Sequence, residues 1–213
     1  MAGSGGWPPA NRRAAHEARR QVTAGDAGRV IAGVARGIRL EAPGDATRPL
    51  GDRVKQTLFA ILDPDLPGAN VLDLFAGSGA AGIEALSRGA AHATFVEKEV
   101  GAASVIAANL GRTHLAGERA RIVRAEALAW LGGPEAAARG PFTVAVVDPP
   151  YAATALMAAA LEAVGPLLAP GARVVAKHFW REPPPAVIGL LASERERRFG
   201  ETTLTFYRRQ EHR

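Results

Sequence analysis

The chain contains no cysteine among its 213 residues, which excludes disulfide bonds, thiolate metal sites and a thiol nucleophile. Its five histidines are widely separated, and none has the spacing of a metal-ligand pair. No apolar run approaches the length of a membrane span, and residues 1–9 lack the apolar core of a secretory signal. These absences predict a cytoplasmic protein that binds neither a metal nor a membrane.

Basic residues outnumber acidic ones, and the formal net charge is +5 at pH 7. The basic residues concentrate near both ends of the chain, a distribution that suits a polyanionic partner. A basic surface that serves only solubility would give the same pattern, so charge alone leaves both interpretations open. The two clusters are Arg12, Arg13, Arg19, Arg20, Arg29, Arg36, Arg39, Arg48, Arg53 and Lys55, and then Arg195, Arg197, Arg198, Arg208 and Arg209.

The length and a hydrophobic content of 47% predict one domain with a small appendage. Residues 1–26 are rich in Gly, Pro, Ala and Arg and lack apolar periodicity, which predicts a flexible basic arm. Residues 27–66 are predicted to form an N-terminal extension. It contains a hairpin with strands at 29–33 and 37–41, and a helix at 52–62 with Asp52 as its N-cap.

Residues 67–213 form the predicted main domain, in which strand and helix patterns alternate. The last stretch alternates like an antiparallel pair around Gly200. Repeated βα units predict an α/β, Rossmann-like fold with a mostly parallel twisted sheet and an antiparallel C-terminal hairpin. The predicted strands cover residues 71–75, 93–97, 121–124, 144–147 and 173–176, and the predicted helices cover residues 80–88, 100–110 and 156–168.

The sequence Asp148-Pro149-Pro150-Tyr151 follows the apolar run 143–147 and therefore lies at the carboxyl end of a predicted strand, where open α/β sheets bind ligands. The prolines lack N–H donors and fix an extended turn, which leaves carbonyl oxygens available as acceptors. A carboxylate, a carbonyl and an aromatic ring together suit a planar group that carries an NH2. The alternative is an ordinary turn that ends a strand.

A glycine-rich loop at residues 75–79 (Phe-Ala-Gly-Ser-Gly) joins the first strand of this domain to its helix. Glycines let the backbone approach a ligand at a helix N-terminus. The spacing Gly77-x-Gly79-x-x-Gly82 also matches the dinucleotide-binding fingerprint. Glu97, at the end of the next strand, would bind ribose hydroxyls in either case. The loop therefore predicts a nucleoside cofactor without choosing one.

Two further acids bear on that choice. Asp73, just before the loop, would repel a pyrophosphate but attract an ammonium group, such as that of the methionine part of S-adenosylmethionine. Its alternative role is a turn carboxylate that accepts from loop N–H groups. Glu126, after the third strand, could accept from an adenine amino group or could simply begin a helix.

Taken in order, these motifs resemble the class I S-adenosylmethionine-dependent methyltransferases that act on exocyclic amines. A narrower match is to the RsmD family, which methylates a guanine 2-amino group in small-subunit (16S) ribosomal RNA, and it runs from about Arg29 to Arg208. The motifs that carry it are Arg48-Pro49, Asp52-Arg53-Val54, Leu58-Phe59, Leu62, the segment 73–79, Gly82, residues 84–89 and Asn109-Leu110. The chain departs from the family pattern at Leu50-Gly51, at Gln56 and at residues 177–180 (Lys-His-Phe-Trp).

The resemblance implies that S-adenosylmethionine lies across the strand ends, that Asp148 and the Pro149 carbonyl accept from the target amine, and that Tyr151 stacks on the base. The implied catalytic residues are Asp148, Pro149, Pro150 and Tyr151. The implied cofactor-binding residues are Asp73, Phe75, Ala76, Gly77, Ser78, Gly79, Glu97, Lys98, Glu126 and Ala127. The implied RNA-binding residues, in the extension, are Arg36, Arg39, Arg48, Arg53 and Lys55.

The expected partner is small-subunit ribosomal RNA, free or in an assembled particle, and the chain is expected to act as a monomer. Three alternatives stay open at this point. The substrate amine could be the 6-amino group of adenine in DNA or RNA. The glycine pattern permits a nicotinamide-binding protein. The chain could also be a non-catalytic RNA-binding assembly factor.

Overall fold

The structure is a computed structural model that describes residues 25–44, 51–150 and 153–211. Residues 1–24 of the predicted basic arm lie outside this range, as do Arg48 and Tyr151. Within the described ranges, no helix combines the length and the apolar character needed to cross a membrane.

The described chain contains ten strands and six α-helices. The strands are β1 Gly25–Arg29, β2 Arg39–Ala42, β3 Asn70–Leu74, β4 His92–Glu97, β5 Ala120–Arg124, β6 Phe142–Val147, β7 Leu168–Phe179, β8 Val187–Ile188, β9 Leu191–Phe199 and β10 Thr202–Arg209. The helices are α1 Asp52–Leu62, α2 Ala80–Ser87, α3 Val100–Arg112, α4 Ala127–Leu131, α5 Pro134–Arg139 and α6 Thr154–Val164.

Eight strands form one sheet in the order β5-β4-β3-β6-β7-β10-β9-β8, and β1 and β2 form a separate antiparallel pair. The five neighbouring strands β5, β4, β3, β6 and β7 run parallel to one another. Strands β10, β9 and β8 are each antiparallel to their neighbours. The strand order reverses between β3 and β6, and the carboxyl ends at such a reversal are the ligand-binding crevice of open α/β sheets. The predicted fold class is confirmed.

The central strands are buried on both faces, so they read as apolar runs rather than as alternating patterns. In β3, Val71 contributes to the core on one face, whereas Leu72 and Leu74 contribute to the core on the other. Asp73 lies between them in sequence and is only 2% exposed. The buried acid therefore belongs to a central, almost fully buried strand of the sheet.

The N-terminal extension packs against the same core as the sheet. Leu58 and Phe59 of α1 are buried in one hydrophobic cluster with residues of β3 and α2. The carboxylate of Glu84 in α2 accepts from the backbone N–H groups of Ile31 (2.7 Å) and Ala32 (3.0 Å). At Gly33, where φ is +82°, an added Cβ would lie 1.8 Å from a backbone oxygen of α2, so only glycine permits this contact. The boundary between extension and main domain at residue 66 stays a prediction.

Local details differ from the sequence predictions. The hairpin strands lie at Gly25–Arg29 and Arg39–Ala42 rather than at 29–33 and 37–41. Asp52 is not the N-cap of its helix: Gly51 holds that position, and the Asp52 carboxylate contacts Arg29 instead. The short helix α5 was not predicted, and α4 was weighed only as the alternative role of Glu126. The helix predicted at 156–168 ends at Val164, and Leu168 already pairs with Phe142 of β6.

Candidate active site

The candidate site lies where the carboxyl ends of β3, β4, β6 and β7 meet. The glycine loop follows β3, Glu97 ends β4 and Asp148 follows β6. The parallel register pairs Leu74 with both Val96 and Val147, so these ends lie at the same level along the sheet. The tertiary structure thus brings together the three motifs that the sequence singled out.

The loop after β3 has an unusual backbone conformation. Phe75, Gly77 and Gly79 all have positive φ, at 62°, 55° and 75°. A Cβ added at Gly77 would meet no atom within 4 Å, so the space beside this glycine is open. Gly82 is different, because its Cβ would lie 2.3 Å from the Phe95 ring. The first two glycines of the pattern therefore shape the loop, and the third lets α2 pack on β4.

Glu97 holds the tip of this loop. One carboxylate oxygen accepts from the Gly77 N–H (2.8 Å) and the other from the Glu99 N–H (2.9 Å). Lys98, between them in sequence, is largely exposed and lies 3.8 Å from the Glu99 carboxylate. Each oxygen of Glu97 retains acceptor capacity. The role of Glu97 and Lys98 in holding a cofactor stays a prediction.

Asp73 is a buried carboxyl group beside the loop. Its Oδ2 accepts from the Gly82 N–H at 2.9 Å. Burial raises the pKa of Asp73 to about 8; the hydrogen bond from Gly82 opposes this, and the nearby Asp148 and Glu97 carboxylates add to it. Oδ2 of Asp73 therefore fills the alternative role weighed for this residue, which was to accept from an N–H group. A cation next to Asp73 would oppose this rise in pKa and favour the ionised carboxylate.

Asp148 is held by a lysine that sequence reasoning did not place in the site. The Nζ of Lys177 donates to both carboxylate oxygens, at 2.9 Å and 2.8 Å. Burial raises the pKa of Asp148, and Lys177 opposes this rise. The two residues are distant in sequence, and only the pairing of Val147 with Ala176 in the parallel strands β6 and β7 brings them together.

The two prolines after Asp148 line a small hollow beside β7 and α6. The carbonyl of Pro150 accepts from the Ala153 N–H (3.0 Å), which closes the turn into α6. Met157 and Phe179 contribute apolar walls, and Glu182 lies at the same hollow. Lys177, whose Nζ donates to Asp148, also lines this hollow, so the hollow lies next to the Asp148 carboxylate. Tyr151, predicted to stack on the base, lies outside the described residues.

Glu126 begins a helix, as one of its two predicted roles required. It is the N-cap of α4, and its Oε2 accepts from the Ala129 N–H at 2.9 Å. Ala127 is the first residue of that helix and is buried. Both lie just beyond β5, the strand next to β4. A contact with adenine stays a prediction for these two residues.

Asn109 joins the loop to the extension. It is fully buried in α3, and its Nδ2 donates to the carbonyls of Glu41 (2.8 Å) and Ser78 (2.9 Å). Its Oδ1 accepts from the Glu41 N–H (2.9 Å). The resemblance to the RsmD family included Asn109, but only the structure shows that it fixes the distance between β2 and the glycine loop.

The predicted RNA-binding residues of the extension fall into two groups. Arg36, Arg39 and Arg53 are exposed, and Arg39 pairs with Asp26. Lys55 is fully buried, and its Nζ donates to the Arg29 carbonyl at 2.6 Å. Burial also lowers the pKa of Lys55. Lys55 therefore stabilises the extension rather than presenting its charge to RNA, which corrects the expectation for this residue.

The C-terminal arginines also divide. Arg208 is paired with Glu194. Arg195 and Arg197 are exposed on β9. The guanidinium of Arg198 lies 3.8 Å from the ring centre of Trp180, just after β7. Only part of this cluster is available to a polyanion. No group of acidic or histidine side chains suited to a metal occurs in the parts of the chain that the structure describes.

Comparisons with known proteins show which family this chain is similar to. The sequence model of the family described as "Conserved hypothetical protein 95" matches residues 28–208. Ribosomal RNA small subunit methyltransferase D of Escherichia coli (strain K12) is 42% identical over 125 residues, which cover 58% of this chain and 60% of that protein. The chain belongs to the RsmD family.

Two further relatives match over most of their length. YlbH of Bacillus subtilis (strain 168), provisionally named an rRNA methyltransferase, is 36% identical over 186 residues, covering 85% of this chain and 98% of that protein. The solved structure of yhhF from Escherichia coli, provisionally named a methyltransferase, has a TM-score of 0.74 at 34% identity and covers 88% of this chain and 100% of that one. The resemblance stated from the sequence is confirmed.

Proposed function

We propose that this protein transfers a methyl group from S-adenosylmethionine to the exocyclic 2-amino group of a guanine in small-subunit ribosomal RNA. The observation that carries the proposal is the placement of the Asp148-Pro149-Pro150 turn next to the glycine loop and Glu97, in a chain of the RsmD family. The coarser activity, methylation of rRNA, is supported by the names of its relatives. The choice of the guanine 2-amino group is the finer part of the proposal.

The residues at the strand ends fit this cofactor. Asp73, with a pKa of about 8 in the absence of a cation, would regain its charge beside an ammonium group. Glu97 would accept from ribose hydroxyls while it holds Gly77, and the open space at Gly77 would admit the methionine part. A dinucleotide pyrophosphate offers no cation to stabilise the ionised form of Asp73, which disfavours the nicotinamide alternative. When bound, the cofactor supplies a methyl group already activated on a sulfonium.

The residues of the catalytic turn act on the amine. A guanine amine is a poor nucleophile, since its lone pair is delocalised into the ring. The Asp148 carboxylate and the Pro149 carbonyl accept from its two N–H groups and so turn the lone pair toward the methyl group. Alignment of this kind is a large part of catalysis in displacement reactions. The aromatic ring of Tyr151 would hold the base by stacking, worth about 1–3 kcal/mol.

The target base must leave its stack to reach this turn. The exposed Arg36, Arg39 and Arg53 on the extension would bind the surrounding phosphates. Arg195 and Arg197 on β9 add a second exposed basic surface. Arg48, also predicted to bind RNA, lies outside the described residues.

Transfer of labelled methyl to ribosomal subunits from cells that lack this protein, followed by nucleoside mass spectrometry, tests the proposal. The expected product is one N2-methylguanosine in the small-subunit RNA. N6-methyladenosine would overturn the choice of base, and no transfer to any RNA would overturn the enzymatic proposal in favour of a binding factor. Asp148→Asn should abolish transfer, whereas Asp63→Asn, an exposed aspartate before β3, serves as the matched control.

A further inference from the structure

The contact between Lys177 and Asp148 is the most enclosed ion pair at the candidate site. The Lys177 side chain is 8% exposed and the Asp148 side chain 23% exposed. The Nζ lies within 2.9 Å of both carboxylate oxygens, which fixes the plane of the carboxylate as well as its position. Lys177 is the first residue of the segment at which the chain departs from the family pattern.

Other charged groups around Asp148 come from each neighbouring element. Asp73 on β3 is close enough to interact electrostatically with Asp148. His178, next to Lys177, is bonded through its ring nitrogens to the Phe179 carbonyl and the Thr205 hydroxyl. Glu182 lies at the same hollow and accepts from Thr154 at the start of α6. Among the described residues that face Asp148, Lys177 supplies the positive charge and the others supply negative charge or none.

The ionisation state of Asp148 decides what it can do. A carboxylate accepts hydrogen bonds at both oxygens, whereas a protonated carboxyl group donates at one of them. Burial favours protonation of Asp148. A lysine in contact opposes it, since an opposite charge at this distance lowers the pKa of a carboxyl group by about 1–3 units. Without Lys177, the carboxylate acceptor in the turn would be lost at a higher pH than with it.

We propose that Lys177 is a positioning residue for the catalytic turn: it orients Asp148 and holds it as a carboxylate that accepts from the target amine. This rests on the proposed function. A carboxylate already bound to an ammonium group on both oxygens is a weak base. The proton released when the N–C bond forms and the S–C bond breaks therefore leaves to solvent rather than residing on Asp148.

The experiment measures the titration of Asp148 directly, by NMR of the ¹³C-labelled aspartate carboxyl groups with the signal assigned in Asp148→Asn. In the wild-type protein Asp148 should titrate below pH 7. In Lys177→Met the pKa should rise by about one unit or more, and Lys177→Arg should restore most of the shift. Arg173→Met, which removes two ion pairs made by the same strand β7, is the control and should leave the titration unchanged.

Activity provides the second readout. For Lys177→Met, the low-pH limb of the kcat profile should move upward by the same number of pH units as the pKa measured by NMR, so that kcat falls on that limb and recovers at higher pH, while cofactor affinity and KM for RNA change little. A wild-type Asp148 that titrates above pH 7 overturns the proposal without any variant. An unchanged titration in Lys177→Met, or a loss of kcat that is equal at all pH values, also overturns it. If the wild-type protein methylates no RNA, the proposed function fails, and the NMR comparison still decides whether Lys177 sets the charge of Asp148.

Discussion

The carboxylate of Glu97 accepts a hydrogen bond from the backbone N–H of Gly77 at 2.8 Å. Through this bond the last residue of β4 fixes the tip of the loop that follows β3. The same carboxylate also accepts from the Glu99 N–H. Glu97 therefore shapes the loop before any ligand arrives, and its predicted contact with ribose would use the remaining lone pairs.

Glu97→Ala should lower the affinity for S-adenosylmethionine at least tenfold, since it removes both the ribose acceptor and the anchor of Gly77. Isothermal titration calorimetry measures this directly. Glu99→Gln is the matched control, because Glu99 takes part through its backbone N–H and its side chain is exposed. Equal affinities in wild type and Glu97→Ala would remove Glu97 from the cofactor site.

Asp73 should make stability depend on pH. Its pKa is raised from 3.8 in the unfolded chain to about 8 in the folded protein, so between these values the folded state binds a proton that the unfolded state releases. Stability without ligand should therefore fall as the pH rises from about 4 to about 8 and then level off. Urea unfolding at pH 5 and pH 8.5 should show that the free energy of unfolding of Asp73→Asn, relative to wild type, is higher by a few kcal/mol at pH 8.5 than at pH 5. The same difference between the two proteins at both pH values would contradict the assignment.

The same group should couple cofactor binding to protons. A bound ammonium favours the ionised form of Asp73, so binding should release a proton below pH 8 and the affinity should rise between pH 6 and pH 8.5. Calorimetry in two buffers of different ionisation enthalpy measures the number of protons released. Asp73→Asn should bind weakly and release none, and proton release that persists in this variant would point to another group.

Gly82 and Phe95 should be coupled in stability. A Cβ at residue 82 would lie 2.3 Å from the Phe95 ring, so Gly82→Ala should cost about 1–3 kcal/mol through overpacking. The double variant Gly82→Ala/Phe95→Leu should be destabilised by less than the sum of the two single variants. Gly77→Ala is the control, because it meets no neighbouring atom and should cost only about 1 kcal/mol from its positive φ. Additive costs would show that the ring is not the obstacle.

Arg53 and Lys55 should behave differently although they are neighbours in α1. Arg53→Glu should weaken RNA binding and lower the magnitude of the slope of log K against log salt concentration by roughly 1. Its free energy of unfolding should be unchanged. Lys55→Met should instead destabilise the protein, because it removes a buried donor to the Arg29 carbonyl. Filter binding at several salt concentrations and urea unfolding separate the two effects. Arg121→Glu, an equal charge change on β5, is the control; an equal loss of RNA affinity there would contradict a specific role for Arg53.

Much of the fold follows from local pattern. The apolar runs of β3, β4 and β6 are predicted from the sequence, since strands buried on both faces are mostly apolar. The helices α2 and α3 are predicted as well. The predictions failed where local signals were weak or competed. Aspartate is a residue type typical of N-caps, but the Asp52 carboxylate forms an ion pair with Arg29 instead. The helix predicted to reach residue 168 ends at Val164, because Leu168 pairs with Phe142 of β6.

By itself, the sequence determined that a glycine loop, an acid and the Asp148 turn each end a strand, because backbone conformation and apolar pattern are local properties. Only the tertiary structure decided which charges meet. The pairing of β6 with β7 brings Lys177 to Asp148, and the packing of the extension buries Lys55 while Arg53 stays exposed. Long-range pairing and burial set the electrostatics of a site, and neither can be read from the order of residues along the chain.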